Sequence, residues 1–255
     1  MDYTAYNAQI WDDINECLTD KASCISHKAY LAAKRGELNV TLAGVEPVPA
    51  DWFPELKGSE VLCLACGGGQ QGPVFAAHGA EVTVTDLSDG QLAKEQYVAR
   101  REGYEIRLVK ADLAKPLPFA DASFDMIFNP VSNCYIRELQ PLWKECARVM
   151  KKGGVLMMAF VKEEHFLFEP DFQKEDTLIA RHPLPFDPLT DLTEEQREEK
   201  RRQRLPLAFS HTLTEQLGGL LAAGFTMTAL FEDRDGGGLF DKYMDSYVAV
   251  RAVKA

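Results

Sequence analysis

From Glu60 onward, short β-rich apolar runs alternate with stretches whose apolar residues recur at helical spacing, the pattern of a parallel α/β sheet. EVLCLA (60–65) predicts a first strand running straight into glycines, and Pro73 after Gly72 suits the first turn of a helix reaching about His78. EVTVTD (81–86) alternates as a second strand, and Ser88-Asp89-Gly90-Gln91 fits a capping box opening a helix that ends near Gly103. IRLVKADL (106–113) and FDMIFN (124–129) read as the third and fourth strands. Apolar positions 139, 142, 143, 146, 147 and 150 share one helix face; Lys151 and Lys152 suit its C-terminus and Gly153-Gly154 its end. VLMMAFV (155–161) is continuously apolar, as expected of a strand covered on both faces.

The rhythm breaks at 162–210, a polar, proline-bearing insertion containing TEEQREEKRRQR (193–204), a charged helical stretch with a solvated face. Long insertions in compact domains are often lids or binding loops. The pattern resumes with Thr212-Leu213-Thr214-Glu215, a second capping box, and a helix ending at Gly224. FTMTALF (225–231) and YVAVRAV (247–253) are the last strands. The expected organisation is one domain over 1–255: an N-terminal cap (1–58), a core (59–161), the lid-like insertion (162–210), and a C-terminal helix with two strands (211–255).

Composition narrows the partners. With 255 residues, 46% hydrophobic and 26% charged, the chain can bury a sizeable core. Its net charge of −11 repels a nucleic-acid backbone and favours a small molecule or a protein as partner. No apolar run approaches a membrane span and MDYTAYNAQIWDD has no secretory character, so a soluble cytoplasmic protein is expected. Oligomeric state is left open.

The stretch VLCLACGGGQQGP (61–73) carries two signals. Gly67, Gly69 and Gly72 form a G-x-G-x-x-G between strand and helix, where bare backbone and a helix N-terminus receive nucleotide-like ligands. Cys63 and Cys66 form a C-x-x-C, but no second cysteine or histidine pair completes a zinc site, and Cys63 lies inside a strand rather than at a helix start. Both read as buried or turn thiols, and no metal is expected. Asp86, ending the second strand, suits paired ribose hydroxyls. Asp112 after the third strand suits an adenine amino group, and residues preceding the glycine turn, with Trp11 in an amphipathic YNAQIWDDI, suit a cap over the site.

Together VLCLACGGGQQGP, SFDMIFNPVSN and FSHTL make the chain resemble a class I S-adenosylmethionine (SAM)-dependent methyltransferase of a bacterial small-molecule-type group, over nearly its whole length. The resemblance implies a Rossmann-like, seven-stranded, mostly parallel sheet of order 3-2-1-4-5-7-6, with helices on both faces. It implies SAM as cofactor, S-adenosylhomocysteine (SAH) as product and an unidentified small-molecule acceptor. It sets Ala65, Cys66, Gly67 and Gly69 against the methionine and ribose, and Asp86 on the ribose hydroxyls. Leu87, Asp112 and Leu113 fall to the adenine, and Asn129 to the methionine portion and the transferring methyl.

Two departures stand out. Cys63 occupies the position of an acid that commonly helps hold the cofactor's ammonium, and Ala65 replaces the first glycine, which is tolerable at negative φ. Asn129-Pro130-Val131-Ser132 falls where some methyltransferases carry N/D-P-P-Y, but Val131 and Ser132 depart from it, so it reads as a proline-fixed turn lining the pocket. Tyr135, His211 and Glu163 are the candidate bases. Two other readings use the same loop: a non-catalytic SAM- or SAH-binding sensor, and an NAD-dependent oxidoreductase, which would want a Tyr-x-x-x-Lys pair that no plausible place supplies.

Overall fold

The protein is described from a computed structural model covering residues 1–17, 23–168 and 177–255. Its centre is a seven-stranded sheet of order β3-β2-β1-β4-β5-β7-β6. The strands are β1 Glu60–Leu64, β2 Glu81–Asp86, β3 Arg107–Lys110, β4 Phe124–Asn129, β5 Met150–Val161, β6 Phe225–Asp233 and β7 Tyr247–Lys254. β7 runs antiparallel to both neighbours, whereas β3 to β5 pair in parallel. The order reverses between β1 and β4, and at such a switch point the strand ends open a crevice.

Alternation along β1 divides the core. Leu62 and Leu64 pack on the face covered by α5 (Leu139–Val149), with Leu142, Trp143 and Cys146. Val61 and Cys63 pack on the opposite face with Val74 and Phe75 of α3 (Gly72–Ala77), in a cluster that includes Ala33 of α2 (His27–Lys34). Val61 to Leu64 are fully buried, which is why this strand shows no polar alternation.

Several elements end elsewhere than the pattern predicts. The α5 helix stops at Val149, because Met150 is already extended and begins β5, so Lys151 joins the sheet and pairs with Asp125 of β4 at 2.8 Å. The Gly153-Gly154 pair therefore lies within β5 and does not end the helix. β3 ends at Lys110 rather than 113, since Asp112 turns to accept a bond from Ala114 N at 3.0 Å. The helix beginning at Thr214 opens as a π-helical turn, Thr214–Gly218, before α7 (Gly219–Ala222). The Thr212 capping box forms: Glu215 N donates to Thr212 Oγ1 and Thr212 N to Glu215 Oε2.

The first helix, α1 (Tyr3–Cys17), presents Tyr3, Tyr6, Ile10 and Ile14 along one stripe, which packs on Leu189 and Leu207 of the insertion. Asn7 fastens that contact: Nδ2 donates to Leu207 O at 3.0 Å and Oδ1 accepts from Leu207 N at 2.8 Å. The insertion carries α6 (Glu194–Arg202), opened by a complete capping box on Thr193 and Gln196, with no buried residue. Part of the insertion, 169–176, lies outside the described residues.

Candidate functional site

The glycine turn after β1 is held from three sides. Gly67 N donates to Asp86 Oδ2 at 3.0 Å, Gly68 N to Gln91 O at 3.1 Å, and Gly69 N to Glu95 Oε1 at 2.6 Å. Gln91 and Glu95 belong to α4 (Asp89–Glu102), whose N-cap Ser88 accepts from Gln91 N at 3.1 Å. The predicted capping box is only half formed, because Asp86 Oδ1 takes the Ser88 N–H at 2.9 Å. That exchange fixes the carboxylate at the end of β2. A Cβ on Gly67 would lie 2.6 Å from Gln91 Cβ and 2.7 Å from Asp86 Oδ2, so only glycine allows this approach.

Ala65 corrects an expectation. Its φ is +46°, in the left-handed region, because the chain must turn sharply at the end of β1 for Cys66 N to reach Thr85 O at 3.2 Å. An L-residue there costs roughly 1–2 kcal/mol. Glycine would avoid the cost.

These elements open onto one cavity of about 310 Å³. Its floor is Ala65, Cys66 and Gly67, and its sides include Asp86, Leu87, Asp112, Leu113 and the Pro130–Ser132 turn. Thr4, Asn7 and Trp11, one helical stripe of α1, form a cover. Trp11 meets Tyr135 edge-on, ring centroids 5.6 Å apart at 80°. Burial raises the pKa of Asp86, against the N–H groups of Ser88, Gly67 and Leu87 that favour its anion.

Residues 62–158 match the family described as a methyltransferase domain. The chain is 38% identical over 250 residues to the uncharacterized methyltransferase YbaJ of Bacillus subtilis (strain 168), covering 98% of each. The chain belongs to the class I SAM-dependent methyltransferases. SAM is therefore its cofactor. Among solved structures, a putative SAM-dependent methyltransferase from Listeria monocytogenes aligns with TM-score 0.58 and 18% identity, over 88% of this chain and 99% of that one. The [4+2]-cyclase SpnF aligns with TM-score 0.60 and 18% identity over 97% and 95%. At such identities these likenesses show the fold alone.

The methyltransferase cavity suits the cofactor chemically. A backbone cradle that a Cβ would fill, a carboxylate at the end of β2 and apolar walls from Leu87 and Leu113 match a ribose beside a purine. Asp112 keeps one oxygen on Ala114 N and the other 3.1 Å from Lys115. Among the described residues no group of three or more His, Cys, Asp or Glu could hold a metal ion, and no helix is long and apolar enough to cross a membrane.

Not every residue expected at the methyltransferase site reaches the cavity. Ala65, Cys66, Gly67, Asp86, Leu87, Asp112, Leu113 and Tyr135 line it. Gly69 stands behind the turn, where an added Cβ would lie 2.8 Å from Val98 Cγ2. Asn129 is fully buried behind the wall. Its Nδ2 donates to Leu64 O at 2.8 Å and Ser132 Oγ at 2.7 Å, pinning the Pro130–Ser132 turn, and its Oδ1 has no partner. His211 is buried and its Nε2 lies 2.8 Å from Ile136 O, bracing the turn that carries Tyr135. Burial lowers its pKa. Glu163 is half-buried beyond the lining, its pKa raised by burial and by Glu164 and Glu215.

Cys63 is a core thiol, and Cys66, Cys134 and Cys146 are likewise free and buried. Besides Asp86, a second carboxylate reaches the turn, from α4. Glu95 is fully buried, its Oε2 has no partner, and burial pushes its pKa up to about 8. Sequence reasoning missed Glu95 because a lone glutamate in a helix carries no motif. It also missed Thr4 and Asn7, whose spacing with Trp11 was the available signal.

Proposed function

We propose that this methyltransferase acts on a small-molecule acceptor, which meets the cofactor's methyl group beside Tyr135. The supporting observation is the convergence of the glycine turn, Asp86, Asp112 and Tyr135 on one cavity roofed by α1. In this reading Asp86 accepts hydrogen bonds from the ribose hydroxyls, Leu87 and Leu113 hold the adenine, and Asp112 takes its amino group. Ala65 to Gly67 carry the methionine portion.

Methyl transfer from a sulfonium is an in-line displacement on an activated donor, so the protein's contribution is alignment and exclusion of water. Thr4, Asn7 and Trp11 supply the exclusion. Tyr135 is the one candidate base that lines the cavity, and burial holds its phenol well above the ordinary range, keeping it neutral. It is therefore assigned an orienting role, with Trp11 against its ring.

The test is incubation with methyl-labelled SAM and a metabolite extract, alongside calorimetry with SAH. Labelled product with SAH binding supports the reading. SAH binding with no labelled product from any extract would instead support a cofactor sensor.

A further inference from the structure

A second cavity, about 280 Å³, adjoins the first, and Tyr135 and Val131 line both. Its other walls come from the end of β5, the segment after it, the insertion and the start of β7. Their aromatic character is marked. Phe166 stacks against Phe186 with centroids 6.4 Å apart, His182 lies 4.6 Å from Phe186, and His165 stacks on Phe240 at 3.9 Å. Val161, Leu192 and Leu205 complete an apolar surface, and Tyr247 contributes a phenol kept neutral by burial.

Two details restrict what fits. No carboxylate is found among the described residues lining this chamber, whereas Lys200 is among them. Asp235 stands behind this lining, where it bonds the Tyr247 phenol and its field reaches His165, so a cationic amine would be buried without direct contact with a carboxylate of the lining, while a neutral or weakly acidic molecule is accommodated. His165 is uncharged near neutrality, since burial lowers its pKa, and its enclosed Nδ1 makes no hydrogen bond.

We propose that this chamber holds the body of the methyl acceptor, and that the acceptor is a planar, mainly apolar aromatic molecule of the phenol class. The proposal rests on the methyltransferase reading and names its substrate class. The aromatic walls take the ring by stacking and edge contacts. The reacting hydroxyl passes Val131 and Tyr135 toward the cofactor cavity. There the hydroxyl oxygen's lone pair forms the bond to the methyl carbon as the carbon–sulfur bond breaks. Its electron pair stays on sulfur, and the hydroxyl proton leaves to water.

The experiment is a fluorescence titration of the full chain with 2-naphthol, with tyramine as the cationic comparison and SAH calorimetry in parallel. Saturable 2-naphthol binding is expected, at least tenfold tighter than tyramine. Ala208→Trp, which fills the chamber away from the cofactor cavity, should weaken it at least tenfold and leave SAH affinity within about twofold. Phe166→Ala, which removes one wall, should weaken it without filling anything, and covers the case in which Ala208→Trp fails to fold. Normal SAH binding with no saturable 2-naphthol binding overturns the proposal alone, as does 2-naphthol binding that neither variant changes or that tyramine equals. Absence of SAH binding by the wild-type chain would strike the cofactor site instead.

Discussion

Asp12 and Ser88 join the first helix to the cofactor-binding core: Asp12 Oδ1 accepts from Ser88 Oγ at 2.6 Å and, beside it, from Gly90 N at 3.0 Å. Ser88 is also the N-cap of α4 and donates its own N–H to Asp86. One carboxylate on the cover is therefore two hydrogen bonds from the carboxylate at the end of β2.

Asp12→Ala should loosen that cover. Hydrogen bonds to charged groups are worth about 1.5–3 kcal/mol, so bound SAH should leave roughly tenfold faster or more. Stopped-flow displacement measures this directly. An unchanged dissociation rate would mean that α1 is no barrier to exit.

Asp86→Ala removes an acceptor from both Gly67 N and Ser88 N as well as the proposed ribose contact. SAH affinity should fall by more than about tenfold, from the same range of hydrogen-bond energies. Calorimetry gives the affinity and circular dichroism shows whether the fold survives. A folded variant with wild-type affinity would remove Asp86 from the site.

Ala65→Gly addresses the left-handed turn at φ +46°. Relief of roughly 1–2 kcal/mol of strain is partly offset by about 0.4–1 kcal/mol of extra chain entropy in the unfolded state. A net gain of about 0.5–1 kcal/mol should raise Tm by about 1–4 °C for a chain of this size. A Tm that drops would show that the turn stores less strain at Ala65 than the entropy glycine adds to the unfolded chain.

Period and punctuation made most of the sheet legible: EVTVTD is a strand over 81–86 as its alternation predicts, and Pro73 sits in the first turn of α3. The order of the strands came from the resemblance, because periodicity says nothing about which strand neighbours which. Boundaries failed where tertiary contacts overruled local signals. Lys151 looks like a helix-terminal cation but pairs with Asp125 in the neighbouring strand. That Asp86 and Asp112 would face the cavity was readable because strand ends have fixed positions in such folds. The second chamber was not, since Val131, His165, Phe186 and Tyr247 lie on separate elements and share no spacing.

Glu95 gives the fold a pH dependence that its amide variant should erase. Burial is the main cause of its raised pKa of about 8, with Asp86 adding to it and the Gly69 and Gln70 N–H groups opposing. In the unfolded chain its pKa returns to 4.5. Because the folded value is the higher one, the native state holds a proton that the unfolded state releases between these limits. Its contribution to stability is thus full below pH about 4.5 and is lost as pH rises through about 8, at up to roughly 1.4 kcal/mol per pH unit. Glu95→Gln keeps an acceptor for Gly69 N but cannot titrate. Urea midpoints measured from pH 5.5 to 8 should fall for the wild-type chain and fall much less for Glu95→Gln, so the two curves converge or cross as pH rises. Parallel curves would mean that Glu95 is ionised in the native state, and that its charge, rather than its protonated carboxyl, supports the glycine turn.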